Sequence, residues 1–337
     1  MNVTPLTWTI TIGVTIAFFV YEYFAHVRTP HIPSIGESAR WSGFYIALAL
    51  LFGVGIGFVS GWTFGGEYFA GYLTEKALSI DNLFVFLIIM SGFAVPKEHQ
   101  QKVLMIGIII AIVLRGIFIA VGAALIDNFS WIFYVFGALL LVLAYNQAFG
   151  SHDSDPANGR AVKLLRRALP ITDEYHGGKY AVRIDGKRFF TPLMLVIVAI
   201  GVVDLVFAVD SIPAIYGLTK EAYIVFTANV FALMGLRQLF FLIGGLLERL
   251  VYLAQGLAVI LGFIGVKLVL HALHINELPF VNGGQSVEWA PEIPIWLSLT
   301  FIGATVAVAT VASLIKTRGR GTDTTTHADT ASSARDA

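Results

Sequence analysis

Apolar runs of roughly 20 residues recur from the start of the chain to about residue 316. A run of this length, folded as an α-helix, spans the hydrocarbon core of a bilayer, which is about 30 Å thick. In lipid, every backbone N–H and C=O group needs a partner within the protein, and a helix supplies those partners locally. Charged residues make up only 13% of the chain, about half of their share in soluble domains. The sequence therefore predicts an all-α polytopic membrane protein.

The hydropathy pattern predicts about nine transmembrane helices. Their expected spans are 7–25, 43–60, 69–92, 103–125, 130–148, 192–214, 222–246, 251–272 and 295–316. No Lys or Arg precedes the first run, whereas a cleavable signal peptide begins with a basic segment. The first run is therefore expected to be a retained helix.

The basic residues outside the predicted spans lie almost entirely on one side of the bundle. Seventeen of the 22 Lys and Arg residues fall in the loops and the tail of that side, and only Lys220 falls in a loop of the other. Because Lys and Arg collect in cytoplasmic loops, the N-terminus is expected outside and the C-terminus in the cytoplasm. The expected location is the plasma (inner) membrane.

The predicted topology divides the chain into six parts. In order these are the first five helices (1–148), a basic cytoplasmic loop (149–191), the next three helices (192–272), an external loop (273–294), the last helix (295–316) and a cytoplasmic tail (317–337). The tail is polar and low in hydrophobicity, which predicts disorder. In the basic loop, Asp185-Gly186 stands between two β-prone runs and predicts a short hairpin.

Two acidic motifs with the same spacing lie inside apolar runs. They read E-K-A-L-S-I-D at 75–81 and D-L-V-F-A-V-D at 204–210. When the motifs are aligned, Arg115 in V-L-R-G-I-F-I falls on Arg237 in G-L-R-Q-L-F-F, and a glycine follows seven residues later in both segments. Matching acids, arginines and glycines together indicate an internal repeat.

The repeat comprises predicted spans 3–5 (69–148) and spans 6–8 (192–272), so that each copy has three helices. Because three is odd, the second copy enters the membrane from the opposite side to the first. Inverted three-helix repeats are typical of secondary transporters, whose substrate sites lie near the midplane where the copies meet.

Four carboxylates are predicted inside the membrane, where each costs at least ~2.5–3.5 kcal/mol on insertion scales. They belong to Glu75, Asp81, Asp204 and Asp210. Four basic residues that also lie inside predicted spans are expected to compensate their charge, namely Lys76, Arg115, Arg237 and Lys267. Two interpretations are open: a purely structural network of ion pairs, or an ion pathway, which intramembrane acids usually mark.

The six-residue spacing bears on how the acids could be arranged. Six residues of a straight helix rise about 9 Å and turn about 240°, so the two acids of one motif cannot easily share an ion. Inversion of the second copy predicts two layers of carboxylates, with Glu75 level with Asp210 and Asp81 level with Asp204. Pro213 lacks the N–H that would bond the carbonyl of Val209, and it disfavours helix at Ile212. The sixth span is therefore expected to break at Ile212-Pro213.

The candidate ligands near the acidic motifs all offer oxygen atoms: the carboxylates, the amides of Asn82 and Asn229, the hydroxyl of Ser211, and the backbone carbonyls that the expected break would free. Such a set suits Mg²⁺, Ca²⁺ or Mn²⁺ rather than Cu⁺ or Zn²⁺. The chain has no cysteine, so thiolate ligands are excluded. His271 and His274 are expected to be interfacial histidines or a peripheral metal contact. No catalytic constellation is present, so an enzyme and a permanently bound cofactor are not expected.

At these residues the chain resembles the TerC/Alx family of integral membrane proteins. The matching stretches are E-K-A-L-S-I-D-N-L-F-V-F (75–86), D-E-Y-H-G-G (173–178), T-P-L (191–193), D-L-V-F-A-V-D-S-I-P-A-I (204–215), T-A-N-V-F-A-L-M-G-L-R (227–237) and G-F-I-G-V-K-L (262–268). The resemblance implies export of divalent metals, chiefly Mn²⁺, and a link to tellurium resistance. By the same resemblance the candidate metal ligands are Glu75, Asp81, Asn82, Asp204, Asp210, Ser211 and Asn229. Asn146 departs from the pattern, since symmetry with Lys267 predicts a lysine there.

The sequence therefore favours a transporter that exports divalent cations, Mn²⁺ before Mg²⁺ or Ca²⁺, in exchange for H⁺. The first alternative is a non-transporting membrane scaffold for stress or tellurium resistance, which would act through the cytoplasmic loop. The second is an oxyanion exporter that uses Arg115 and Arg237. The expected partners are the lipid bilayer and the transported cation. No nucleic acid partner is expected, and the sequence identifies no protein partner.

Overall fold

The structure is a computed structural model, and it describes residues 1, 3–24, 33–129, 131–149, 170–172, 174–184, 186–243, 251–279, 281–287 and 289–318. Within these ranges, Asp81 and Asp210 lie in helices, but their side chains are not among those described. Most of the predicted tail and a large part of the basic loop (150–169) lie outside the described residues.

The described residues form ten α-helices and one small β-hairpin. The elements are α1 (Pro5–Glu22), α2 (Ile35–Ser60), α3 (Trp62–Gly92), α4 (Lys97–Asn128), α5 (Ile132–Phe149), β1 (Ala181–Ile184), β2 (Lys187–Phe190), α6 (Pro192–Tyr216), α7 (Ala222–Leu233), α8 (Leu236–Ile243), α9 (Leu253–His274) and α10 (Ile295–Arg318). The predicted all-α polytopic membrane fold is confirmed.

Eight helical segments of the described chain are long and apolar enough to cross a membrane, if α7 and α8 are taken together as one segment. Helix α3 is a ninth long helix, with 31 residues. It is long enough to cross a membrane, but unlike the other eight segments it carries several charged residues along its apolar stretch, namely Glu67, Glu75, Lys76 and Asp81.

The helices of the two predicted repeat units pack reciprocally. Helix α3 packs against α7, α4 packs against α6, and α5 lies along α9. Each pair joins one helix of the first unit to one helix of the second, which is the pairing that two copies related by a two-fold axis would make. Helices α2 and α10 pack on the outside of α3. The inverted repeat itself stays a prediction.

Helices α5 and α9 approach each other closely at two glycines. A Cβ atom added to Gly137 would lie 2.7 Å from the Val269 side chain and 3.0 Å from the carbonyl oxygen of Gly265. Small residues at a contact let helix backbones approach in lipid, where packing replaces the hydrophobic effect. The α5–α9 pair is therefore held by close packing, and it stands beside the helices that carry the acidic motifs.

The seventh predicted span, 222–246, is broken in the structure. Helix α7 ends at Leu233, and α8 begins only at Leu236. Between them Gly235 has φ +78°, and a Cβ atom at this residue would lie 2.6 Å from the ring of Tyr45. Non-helical backbone is tolerated at membrane depth where protein surrounds it, and Gly235 is buried.

The break predicted at Ile212-Pro213 is wrong, because α6 continues through Pro213 to Tyr216. Pro213 lies in the last turn of the helix, so its missing N–H removes one intrahelical bond without unwinding the final turn. The carbonyl oxygen of Pro213 still accepts a hydrogen bond of 2.9 Å from the N–H of Gly217.

The segment that leads into the β-hairpin contacts the α3–α4 turn and the start of α4, and the hairpin itself leads directly into α6. Strands β1 and β2 are antiparallel and pair Ile184 with Lys187 across the predicted turn. The Tyr175 hydroxyl donates to the carbonyl oxygen of Phe93 (2.7 Å), and Lys102 Nζ donates to the carbonyl oxygen of Gly178 (2.8 Å). Segment 174–191 therefore links the cytoplasmic ends, on the predicted topology, of the two helices that carry the acidic motifs.

Candidate functional site

Arg115 of α4 is buried in the centre of the helix bundle, with 1% of its surface exposed. Its Nη1 donates to Glu75 Oε1 of α3 and to Asn229 Oδ1 of α7, the latter at 2.9 Å. Its Nη2 and Nε donate to the two carboxylate oxygens of Asp204 in α6, at 3.1 and 3.4 Å. These four residues, one from each of four helices, are called the Arg115 cluster below.

Neighbouring groups orient the acceptors of the Arg115 cluster. Asn229 donates its amide Nδ2 to the carbonyl oxygen of Val225 one turn earlier (2.9 Å), which leaves Oδ1 for the guanidinium. The hydroxyl of Ser79 donates to Glu75 Oε1 (3.3 Å) from one turn further along α3. A guanidinium presents its donors as a rigid planar fork, and Asp204 meets that fork with both carboxylate oxygens.

The Arg115 cluster contains two carboxylates and one guanidinium, and therefore carries one net negative charge when all three are ionised. Glu75 Oε2 is buried and has no hydrogen-bond partner among the described residues. The same holds for Asn82 Nδ2 and Ser211 Oγ. A buried polar atom without a partner costs about 1–3 kcal/mol, and more when it is charged. An unpartnered carboxylate oxygen in this position is a group that a cation could use.

Glu75 and Asp204 were predicted in different layers, and that prediction is wrong. The structure brings both to one guanidinium. The prediction considered only the depth of each acid along a straight helix. Glu75 and Asp204 are both buried and both need a positive partner, and Arg115 is the partner of both. Their predicted layer partners, Asp210 and Asp81, have side chains outside the described part of the chain.

Arg237 is predicted to compensate the acids of the two motifs, but in the structure it lies outside the Arg115 cluster. Its Nη2 donates to Glu22 Oε1 of α1 (2.8 Å), and its Nη1 donates to Gln101 Oε1 of α4 (2.8 Å). Gln238 (2.8 Å) and the hydroxyl of Tyr45 (3.1 Å) also donate to Glu22 Oε1. These five buried residues are called the Glu22 cluster. Sequence reasoning missed Glu22, although an acid inside the first predicted span, 7–25, signals a buried partner.

The two predicted lysines also lie elsewhere. Lys76 donates to the carbonyl oxygen of Ala232 (3.0 Å), in the last turn of α7, where a cation suits the helix dipole. Lys267 of α9 donates to Ser298 Oγ of α10 (3.2 Å). Asn146, where symmetry predicts a lysine, is exposed on α5. Arg115 is therefore the one predicted base that pairs with the predicted acids among the described side chains.

Two further predicted ligands, Asn82 of α3 and Ser211 of α6, are buried. Asn82 and Ser211 are 3% and 1% exposed. Among the described side chains, which exclude Asp81 and Asp210, no group of three or more His, Asp or Glu residues could hold a metal ion. His271 and His274 lie at the opposite end of the bundle from the hairpin, and His274 Nε2 is 3.6 Å from Glu292 Oε1.

The sequence pattern of the Integral membrane protein TerC family matches residues 60–321. An uncharacterized membrane protein of Mycobacterium tuberculosis (strain ATCC 25618 / H37Rv) is 47% identical over 325 residues, which cover 95% of this chain and 82% of that protein.

Two more distant relatives extend the comparison. An uncharacterized membrane protein of Myxococcus xanthus is 35% identical over 315 residues, or 93% of each chain. A protein of Photorhabdus laumondii, named as a proposed membrane-bound redox modulator, Alx, is 38% identical over 276 residues, or 79% of this chain and 86% of that protein. No solved structure matches this chain.

Proposed function

We propose that this chain, which belongs to the integral membrane protein TerC family, exports divalent cations, and Mn²⁺ in particular, across the plasma membrane. The observation that supports this proposal is the Arg115 cluster, in which two buried carboxylates from different helices share one guanidinium. Ionisable groups at this depth usually mark ion pathways.

In this proposal Arg115 occupies the place of the cation when no cation is bound. The oxygen atoms of Glu75, Asp204 and Asn229 that accept from Arg115 are of the type that Mn²⁺, Mg²⁺ and Ca²⁺ prefer. An arriving cation takes these oxygens from the guanidinium, beginning with the unpartnered Glu75 Oε2. Asp81, Asp210, Asn82 and Ser211 stay predicted ligands of the same pathway.

The charge of the cluster favours a cation over an oxyanion. An oxyanion at Arg115 would face two carboxylates whose oxygens already accept the guanidinium N–H groups. Arg237, the other arginine of the oxyanion hypothesis, is paired with Glu22. A cation replaces one positive group with another and leaves the carboxylates compensated.

Exchange with protons completes the proposed cycle. When the cation leaves, the carboxylates need a positive partner or a proton, because a bare buried carboxylate is strongly disfavoured. Protonation of one carboxylate and return of Arg115 to the other would compensate both. Export of the cation is then coupled to inward movement of H⁺.

The test is metal transport by the full-length protein in proteoliposomes, with Mn²⁺, Mg²⁺ and Ca²⁺ compared across a pH gradient. Asp204→Asn keeps the size of the side chain but removes its charge, so we expect the Mn²⁺ flux to fall at least tenfold. Glu98→Gln, at an exposed acid of the same chain, is the matched control and should keep the wild-type flux. A wild-type protein that moves no divalent cation, or an Asp204→Asn variant with full flux, would contradict the proposal.

A further inference from the structure

A cavity of about 450 Å³ opens at the end of the bundle opposite the hairpin, between α3, α6, α9 and the segment before α10. On the predicted topology this is the external side. Water occupies about 30 Å³ per molecule in the liquid, so the cavity has room for on the order of 15 waters. That is enough for an ion with a complete hydration shell. The charged residues of its lining are Glu67, Lys220, Glu221, Lys267 and Glu292.

Glu67 differs from the other acids of this cavity. Its Oε2 accepts a hydrogen bond of 2.5 Å from the hydroxyl of Thr219, and it makes no ion pair among the described residues. Glu221 Oε1, in contrast, lies 2.5 Å from the amino group of Met1, and Glu292 lies 3.6 Å from His274. Glu67 is half-buried, so its carboxylate is partly sheltered from solvent, and Lys267 of the same cavity lining attracts it without forming an ion pair.

Glu67 and Glu75 lie on the same helix, eight residues apart, which corresponds to about 12 Å along the axis. Between them is Gly71, where an added Cβ atom would lie 3.2 Å from Ile215 and 3.5 Å from Ala228. Along α3, the apolar contact that Gly71 makes with Ile215 and Ala228 therefore lies between the level of the cavity and the level of the Arg115 cluster. This contact is called the outer seal.

Helix α6 carries polar groups toward the outer seal from the inner side. Ser211 and Ile215 follow Asp204 by 7 and 11 residues, so the three lie on one face of the helix. The hydroxyl oxygen of Ser211 is buried and has no partner among the described residues. Along this face, Asp204 of the Arg115 cluster is therefore followed by the hydroxyl of Ser211 and then by Ile215 of the outer seal. Beyond the seal, Thr219 and Glu67 face the cavity.

We propose that this cavity is a second cation station, in which the Glu67 carboxylate holds a hydrated divalent cation between the outer seal and the external solution. The inference rests on the proposed export function and adds a site to it. Export then requires a brief opening of the outer seal, after which the cation exchanges the carboxylates of the Arg115 cluster for Glu67. Lys220 and Lys267 limit how tightly this station binds, and weak binding favours release.

The test separates the station from the central site. In full-length protein that carries Asp204→Asn to weaken the Arg115 cluster, binding of Mn²⁺ is measured by equilibrium dialysis in detergent. We expect a weak site to remain, and adding Glu67→Gln should weaken it at least tenfold. Adding Glu98→Gln at the other end of the molecule should leave it unchanged. A remaining site that Glu67→Gln does not affect would overturn the proposal, and so would the absence of any remaining site.

Glu67→Asp keeps the charge but shortens the side chain, and it covers the case in which Glu67→Gln fails to fold. We expect an intermediate affinity for Mn²⁺ in this variant, and an affinity equal to that of the parent protein would overturn the proposal. The same variants are then assayed for Mn²⁺ flux without Asp204→Asn. If the wild type transports Mn²⁺ and Glu67→Gln transports it equally fast, the station is wrong while the export function stands. If the wild type transports no divalent cation, the export function itself is wrong.

Discussion

Arg115 compensates two carboxylates that come from different helices, and both are almost fully buried. Arg115→Gln would leave Glu75 and Asp204 in the protein interior without a positive neighbour in the cluster. Breaking a buried ion pair by removing one partner typically costs about 3–5 kcal/mol. We therefore expect a large fall in the unfolding temperature of the detergent-solubilised protein, measured by the fluorescence of its tryptophans.

The double variant Arg115→Gln/Asp204→Asn provides the control for this prediction. It removes one of the two carboxylates that Arg115→Gln leaves without a positive partner, so it should recover part of the lost stability. The effects of the two substitutions on stability should therefore not be additive. Equal unfolding temperatures for the wild type and Arg115→Gln would show that the ion pairs contribute little.

At the level of residues, the cost of an acid in lipid was enough to identify Glu75 and Asp204 from the sequence. The same cost could have identified Glu22, which lies inside the first predicted span. Which base meets which acid was not predictable, because that depends on which helices are neighbours. Arg115 and Arg237 hold matching places in the sequence, yet they pair with acids on different helices.

Among the helices, the break between α7 and α8 requires a glycine at one particular position, residue 235. Gly235 has φ +78° and touches Tyr45, so Gly235→Ala would strain the backbone and overlap the ring. A left-handed conformation costs a residue with a side chain about 1–2 kcal/mol, and overpacking adds about 1–3 kcal/mol. We expect Gly235→Ala to lower the unfolding temperature clearly, as measured in detergent.

Gly55→Ala is the matched control for Gly235→Ala. Gly55 lies inside α2, and an added Cβ atom there would have no neighbour within 4 Å. Since alanine favours helix over glycine by roughly 0.5–1 kcal/mol, this variant should be as stable as the wild type or slightly more so. If the two variants were equally stable, the break at Gly235 would not be an important feature of the fold.

Hydropathy located the long helices well, but it did not locate the break. Pro213 is the stronger helix breaker by residue type, yet α6 continues through it because it falls in the last turn. Gly235 is the weaker signal, since glycine is common in transmembrane helices. The ring of Tyr45 in α2 leaves no room for a side chain at Gly235, and a hydropathy profile contains no information about that contact.

For the whole molecule, the charge asymmetry of the loops predicts that the hairpin faces the cytoplasm. The chain has no cysteine, so a single introduced cysteine reports its own side of the membrane. Arg183 of the hairpin and Gln285 of the loop before α10 are both exposed. We expect a membrane-impermeant maleimide to label Gln285→Cys in intact cells, and to label Arg183→Cys only after the membrane is permeabilised. The reverse pattern would invert the topology and place the 450 Å³ cavity on the cytoplasmic side.

Fold class and the positions of the long helices could be predicted because membrane insertion depends on length and hydrophobicity, which are local properties. The pairing of α5 with α9 could not, because it depends on close contacts such as that between Gly137 and Gly265. Sequence symmetry suggested which helices belong to the same unit. It did not show that Arg237 would be engaged by α1, a helix outside both predicted units.

The net charge of the Arg115 cluster has a consequence for the response of transport to membrane voltage. Glu75, Asp204 and Arg115 together carry one negative charge without cargo, and the guanidinium stays attached to the protein throughout the cycle. If the cluster returned across the full membrane field without a cation or an added proton, moving that charge would involve about 2.3 kcal/mol per 100 mV. Protonation of one carboxylate would cancel the charge and remove this dependence. The sensitivity of flux to voltage therefore reports whether a proton accompanies the returning carrier.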